Sequence, residues 1–234
     1  MSGIGRRNFI KGSIAGAIAA PAIIHTSASI AQASKVVKTV GRDRAEEAMA
    51  ALKIEVDESR NEIVVRTTLP RNSSGLMDWI FVRNVGAKVS YRIKVPGGIA
   101  VSALTVNGNV RIEAIDGQIN AKTTNGQIRI SEAGSGVSAS TTNGSIRAEF
   151  RDLASFENRS FRATNGGITV YLPADLPCSV RASTVNGAVS TDFPITIEGS
   201  SGRSKKRLEG DINGGGGELS LRTVNGSIAV RKSS

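Results

Sequence analysis

From residue 105 onward, hydrophobic and polar residues alternate in short runs that are separated by glycine-containing turns. A period of two places the hydrophobic residues on one face of a β-strand and the polar residues on the other. The pattern therefore predicts an all-β structure built from short strands. The hydrophobic positions of the first four runs are Val110, Ile112 and Ala114, Ile119 and Ala121, Ile128 and Ile130, and Val137 and Ala139.

The turns themselves repeat. Three Asn-Gly pairs follow one another at a constant spacing, and a threonine stands two positions before each asparagine. The pairs are Asn107-Gly108, Asn125-Gly126 and Asn143-Gly144. The same signature returns less regularly around Asn165, Asn186 and Asn225. Units this short cannot bury a hydrophobic face alone, so they must stack on one another.

Two architectures are compatible with this repeat. Asn-Gly between alternating strands is a strong hairpin signal, which favours an antiparallel meander or sandwich. Identical residues at a constant spacing favour a parallel β-solenoid instead, because like side chains then stack between coils about 4.8 Å apart. The asparagines would form an amide ladder at one corner, with each following glycine at positive φ. A meander does not explain the constant spacing, so we predict a parallel β-solenoid with rungs of about 18 residues over 101–234.

The segment 34–100 is less repetitive and is predicted to cap the solenoid with β-strands. Strands are expected at 52–56, 63–67 and 89–95, and a short helix is expected at 45–51. Residues 79–82 form the one aromatic cluster. A cap is needed because an open sheet edge pairs readily with other chains.

Residues 1–33 have the features of a cleavable export signal. Arg6 and Arg7 are followed by Phe9 and Lys11, as in the twin-arginine consensus, and a short apolar stretch follows. Small residues that suit signal cleavage lie at Ala31 and Ala33. The apolar stretch is too short to remain as a stable membrane span. We expect export by the twin-arginine translocase to the periplasm or the cell surface, and the alternative is a Sec signal that happens to contain two arginines.

Removal of this segment changes what the composition allows. The formal charge of +10 loses three positive charges and no acid, which leaves about +7, and the only histidine, His25, is removed. Chemistry that depends on histidine is thereby excluded from residues 34–234. The single cysteine, Cys178, is expected to be a buried structural thiol. No cofactor, metal site or nucleotide-binding loop is predicted.

The repeat resembles the bacterial putative-adhesin family of β-strand-repeat proteins over about residues 85–232. The segments that carry the resemblance are 105–108 and its echoes, 171–175 followed by 180–187, and 212–216 followed by 219–226. The resemblance implies a parallel β-helix-like fold, an exported location and no established catalytic residues. Residues 212–226 resemble the final coil of that family.

A β-helix can also carry a polysaccharide-active enzyme, which is the alternative function. Glycosidic chemistry requires two carboxylates on neighbouring strands. The candidates are Glu113, Asp116, Glu132 and Glu149, but Ser131 occupies the repeat position between Glu113 and Glu149. The sequence therefore builds no close pair, and we expect no enzymatic activity.

One position on the predicted outer face carries an arginine in three successive repeats. Arg111, Arg129 and Arg147 follow the same constant spacing as the turns and would form a column of guanidinium groups on the solvent face. Such a column suits an anionic polysaccharide or another anionic envelope component. The plain alternative is a solvated face that Glu113 and Glu149 partly neutralise.

Nucleic acid is disfavoured by export and by the scarcity of aromatic residues. We expect a non-catalytic scaffold or interaction module of the cell envelope.

Overall fold

The computed structural model describes residues 98, 100–134, 136–151, 158–195 and 203–233, together with the backbone of six strands between residues 8 and 95. These residues contain twenty β-strands in two sheets, here called sheet A and sheet B. The strands of the N-terminal part are β1 (Asn8–Ala15), β2 (Ile23–Thr26), β3 (Ala31–Lys38), β4 (Lys53–Ser59), β5 (Glu62–Thr68) and β6 (Gly86–Val95).

Twelve further strands form six two-stranded coils, each with one strand in sheet B and the next in sheet A. The sheet B strands are β7 (Val101–Leu104), β9 (Ile119–Asn125), β11 (Val137–Asn143), β13 (Arg159–Asn165), β15 (Cys178–Asn186) and β19 (Gly217–Asn225). The sheet A strands are β8 (Gly108–Glu113), β10 (Ile128–Ala133), β12 (Ile146–Phe150), β14 (Ile168–Leu172), β16 (Val189–Thr191) and β20 (Ile228–Lys232).

Neighbouring coils pair in parallel throughout both sheets. The prediction of an all-β parallel solenoid is thus confirmed, and the meander is wrong for this region. The Asn-Gly turns connect sheet B to sheet A within a coil rather than closing antiparallel hairpins. Each coil has two faces, which the sequence pattern had left open.

The order of the coils in space differs from their order in the chain. The last coil, β19–β20, lies between the coil β13–β14 and the coil β15–β16 in both sheets. Beyond β15, the strand β18 (Arg207–Ile212) pairs antiparallel with it, and β17 (Arg203–Ser204) pairs with β18. The C-terminal coil is therefore internal, and an antiparallel ribbon covers the sheet B edge at this end.

Antiparallel strands continue both sheets at the other end. In sheet A, β1 lies between β8 and β6, and in sheet B, β2 lies between β7 and β5. Strands occur at the three predicted places, as β4, β5 and β6. The predicted helix at 45–51 and the aromatic cluster at 79–82 lie outside the described residues.

The predicted export signal overlaps these N-terminal strands. Phe9 and Lys11 belong to β1, and Ala31 and Ala33 belong to β3. Arg6 and Arg7 lie outside the described residues. The division into 1–33, 34–100 and 101–234 stays a prediction.

The core between the two sheets is thin and consists mainly of aliphatic side chains in rows. One row of fully buried residues runs through Ile112, Ile130, Ala148, Val170 and Val230. Two phenylalanines, Phe150 and Phe161, pack edge to face with ring centroids 6.3 Å apart. The alternating hydrophobic residues thus form one buried face on each strand, because this face of both sheets points toward the core.

The glycines of the Asn-Gly turns are required by the contact between coils. A Cβ added at Gly126 would lie 1.9 Å from the carbonyl oxygen of Gly108, and one at Gly144 would lie 1.9 Å from that of Gly126. Gly144 has a φ of 158°, which is close to extended backbone, and neither Gly108 nor Gly126 has a positive φ, so the prediction of a positive φ at each turn glycine is wrong. Glycine is therefore required at these positions because the backbones of neighbouring coils approach closely, and not because of unusual dihedral angles.

Candidate functional site

An asparagine ladder runs along the corner between the two sheets. The side-chain Nδ2 of one asparagine donates to the Oδ1 of the asparagine on the adjacent coil, at 2.7–2.8 Å. The order in space is Asn107, Asn125, Asn143, Asn165, Asn225 and Asn186. The ladder is twice as long as the three regular repeats indicate, and it passes through the inserted last coil.

A threonine row lies just inside this corner. The hydroxyls of Thr123 and Thr141 each donate to a glycine carbonyl of the adjacent coil, at 3.0 Å. Thr223 and Thr184 make the same bond at 2.8 Å. Ala163 occupies the corresponding position on β13, so one hydroxyl is missing from the row. The ladder and the row fix the register of the coils and leave the outer faces free for other side chains.

The predicted arginine column lies on the outer face of sheet A. Arg111 pairs in register with Arg129 and Arg129 with Arg147 on β8, β10 and β12, and all three are exposed. The strand β1 places Lys11 at the register position next to Arg111. The next residue in the row is Thr169 on β14, which carries no charge.

The three arginines differ in their contacts. The Arg111 guanidinium donates to the Glu113 carboxylate at 2.5 Å, and the Arg147 guanidinium lies 4.2 Å from the ring centre of Tyr171. No hydrogen bond or ion pair joins the Arg129 side chain to another residue in the described part of the chain. The middle of the column therefore carries an uncompensated positive charge between two further guanidiniums.

Glu113 and Glu149, which share a repeat position, are not brought together as a catalytic pair, whereas Glu132 lies in the register shift of β10 opposite Glu149. Glu113 lies opposite Ser131 on the neighbouring strand, and Glu149 lies opposite Tyr171. Asp116 is engaged by Arg151, which donates to it at 2.5 Å. In register, at least one strand thus separates Glu113 from Glu149.

The cysteine is not poised for chemistry. Cys178 on β15 is fully buried, and this burial raises the pKa of its thiol to about 12. Nearby Arg159 lowers that pKa by a smaller amount, and Asp211 raises it slightly. Because the thiolate is the reactive form, the thiol is inert at neutral pH. Among the described residues, no group of three or more His, Cys, Asp or Glu side chains could hold a metal ion.

A second basic row on sheet B was missed by the sequence analysis. Arg162 on β13 and Arg222 on β19 are neighbours in register, although they are far apart in the chain. Each stands three positions before a ladder asparagine, Asn165 or Asn225. Alignment of all six coils on that asparagine shows that the two arginines share one repeat position, but it does not show that their strands are neighbours.

In the described part of the chain, no helix has the length and apolar character needed to cross a lipid bilayer.

Comparison with known proteins places this repeat in a family. The model of the Toastrack DUF4097 family matches residues 101–231, which is more than half of the chain. No curated protein matches the chain. Among solved structures, the chain is similar to a putative cell adhesion protein from Clostridium sporogenes ATCC 15579, with 13% identity and a TM-score of 0.48. That match covers 86% of this chain and 100% of the other. The shared turn signature of all six coils lies within the matched residues, and the chain belongs to the Toastrack DUF4097 family.

Proposed function

We propose that this protein is an exported, non-catalytic interaction module that binds linear anionic polysaccharide along the arginine column. The observation that carries the proposal is the arrangement of Arg111, Arg129 and Arg147 on three adjacent strands, with Arg129 free of any acidic partner in the described residues. An interaction surface of this kind needs no catalytic group.

The geometry of the column suits a polymer better than a small anion. Parallel strands hold the three side chains at intervals of about 4.8 Å along a straight line. A polysaccharide with one acidic group on each sugar presents its charges in a row as well. Each guanidinium can donate two parallel hydrogen bonds to a carboxylate or sulfate. Binding also relieves the repulsion among the three like charges, which water and salt only partly screen.

Retention on immobilised polygalacturonate and on heparin tests the proposal. The triple variant Arg111→Ser, Arg129→Ser, Arg147→Ser is compared with the unaltered chain. A matched control removes three positive charges elsewhere, by Arg151→Ser, Arg231→Ser and Lys232→Ser. We expect the triple variant to elute at lower salt than the unaltered chain and the control. Equal elution of all three proteins contradicts the proposal.

Two further probes distinguish the source of the anion. Neutral dextran is expected not to retain the protein, because the column recognises charge. Vesicles that contain phosphatidylglycerol present phosphate on a lipid surface. If the protein binds these vesicles but is not retained on polygalacturonate or heparin, the ligand is a lipid headgroup and not a polysaccharide.

We propose further that residues 1–33 direct export through the twin-arginine translocase. Arg6 and Arg7, followed by Phe9 and Lys11, carry this part of the proposal. Fractionation of cells that produce the full chain with Arg6→Lys and Arg7→Lys tests it. We expect the altered chain to stay in the cytoplasm while the unaltered chain reaches the periplasm or the surface. Continued export of the altered chain contradicts the twin-arginine route.

A further inference from the structure

The outer face of sheet B carries a row of residues at one register position across the coils. Lys122 on β9 is followed by Ser140, Arg162, Arg222 and Ser183 on successive strands. On the antiparallel strand β18, Arg207 continues the row opposite Ser183. The row is therefore basic at both ends and at its centre, with serines between the charges.

The central pair of arginines is uncompensated. Arg162 and Arg222 are both exposed and lie on adjacent strands, and neither makes a hydrogen bond or an ion pair with another described residue. The described acids close by are already engaged. Arg181 donates to Glu209 at 3.1 Å and to Glu218 at 3.0 Å.

Arg207 also binds one of these acids, Glu209. It donates to Glu209 at 2.7 Å, and this hydrogen bond holds the pKa of the Glu209 carboxyl below its usual range. Because Glu209 stays ionised and bound to Arg181 and Arg207, it does not neutralise the Arg162–Arg222 pair. Two like charges on neighbouring strands repel unless an anion lies between or over them.

Hydroxyl groups and a cleft complete the surroundings of the pair. Ser160 and Ser220 are neighbours in register on the same two strands, two positions before the arginines. A cleft of about 360 Å³ adjoins Arg222, and Ser183, Ser220 and Arg207 are among the residues that line it. Guanidinium and hydroxyl donors on one rigid face match the oxygens of a carboxylate or sulfate.

We propose that Arg162 and Arg222 form a second binding site for anionic polysaccharide, so that one molecule bridges two polymer chains. The proposal rests on the proposed function of the arginine column. Sheets A and B enclose one core, and their outer faces therefore point away from each other. A single polymer on one face leaves the other face available for a second polymer.

A sandwich assay with the full-length chain tests the bridging. Polygalacturonate is immobilised, the protein is bound to it, and labelled polygalacturonate is then added and washed. We compare the unaltered chain, the sheet A triple variant Arg111→Ser, Arg129→Ser, Arg147→Ser, and the sheet B double variant Arg162→Ser, Arg222→Ser. Arg231→Ser with Lys232→Ser serves as the control that removes two charges outside both rows. Every altered position is on the surface, so we expect all variants to fold. Melting temperatures check that they do.

The expected result separates binding from bridging. The unaltered chain and the control capture labelled polymer. Each single-face variant still binds the immobilised polymer, but its capture of labelled polymer falls to the background measured without protein.

Other outcomes overturn the second site in distinguishable ways. If the sheet B variant captures as much labelled polymer as the unaltered chain, the second site is wrong, while the arginine column is judged by the sheet A variant. If the sheet A variant loses all binding to the immobilised polymer, the column is the one binding face and bridging is wrong. If the sheet A variant behaves as the unaltered chain while the sheet B variant loses all binding, both the column and the bridging are wrong.

Discussion

Six asparagine side chains at the corner of the solenoid each link one coil to the next. An amide can donate and accept at the same time, so a stack of identical asparagines satisfies itself in a way that a stack of charged residues cannot. Asn125 uses both capacities, since it donates to Asn107 and accepts from Asn143. At the end of the ladder, Asn186 makes a single ladder bond, to Asn225.

Asn125→Ala is expected to lower the free energy of unfolding by about 1–3 kcal/mol, because two hydrogen bonds of about 0.5–1.5 kcal/mol each are lost. Asn186→Ala should cost about half as much, since it removes one. Urea unfolding checks both values against Ser138→Ala, an exposed change on the outer face of sheet B. If all three variants unfold at the same urea concentration, the ladder does not stabilise the coils.

The threonine row offers the reverse experiment. Ala163 is buried at the position where other coils carry a threonine that donates to a glycine carbonyl. Ala163→Thr should supply a donor for the Gly144 carbonyl and raise the free energy of unfolding by about 1 kcal/mol. Ala163→Val has the same shape without the hydroxyl and serves as the control. Equal melting temperatures for the threonine and valine variants would show that the hydroxyl contributes nothing.

At the scale of strands and turns, the contact between glycines sets how closely the coils stack. The backbone carbonyl of one turn glycine touches the α-carbon region of the next, so a side chain has no space there. Strand alternation and the constant spacing of the turns are local features of the sequence, and they were sufficient to predict the parallel coils and the arginine column. These features repeat on each coil because each coil must present the same surface to its neighbour.

The same uniformity explains what could not be predicted. A signature shared by all coils fits any order of stacking, so it does not encode that β19 lies between β13 and β15. The Arg162–Arg222 pair depends on that insertion and was missed for this reason. The arginine column was found because its three coils are consecutive in both sequence and space.

Gly126→Ala is expected to destabilise the protein by about 3 kcal/mol or more, since the added Cβ would meet a backbone oxygen that cannot move without separating two coils. Gly98→Ala is the control, because a Cβ at that position would have no neighbour within 4 Å among the described residues. Thermal unfolding followed by circular dichroism measures the difference. Similar melting temperatures for the two variants would contradict the close stacking of the turns.

The inserted coil makes a second prediction at this scale. A chain that ends after residue 216 lacks β19 and β20, which are the parallel partners of β15 and β16. We expect residues 178–191 to lose their protection rather than to remain as the end of a shorter solenoid. Hydrogen exchange of the backbone amides, compared with the full chain, measures this. Unchanged protection of 178–186 in the shortened chain would contradict the described coil order.

At the scale of the whole molecule, the solenoid has one thin core between two sheets and two outer faces. Parallel pairing aligns side chains that are far apart in sequence, which turns a modest net charge into two ordered basic rows. The ladder hydrogen bond between Asn225 and Asn165 joins residues that are 60 positions apart in the sequence. We propose that the order of the charges in these rows, rather than the total charge, is what a linear anion would recognise.

The salt dependence of polygalacturonate binding tests this central claim most directly. When ordered arginines replace counterions on a polyanion, the logarithm of the affinity falls with the logarithm of salt concentration, and the slope grows with the number of ion contacts. We predict that the unaltered chain and the control variant Arg151→Ser, Arg231→Ser, Lys232→Ser have the same steep slope. The triple variant Arg111→Ser, Arg129→Ser, Arg147→Ser should have a shallower slope and a lower affinity at every salt concentration. The same slope and affinity for all three proteins would contradict binding by the arginine column.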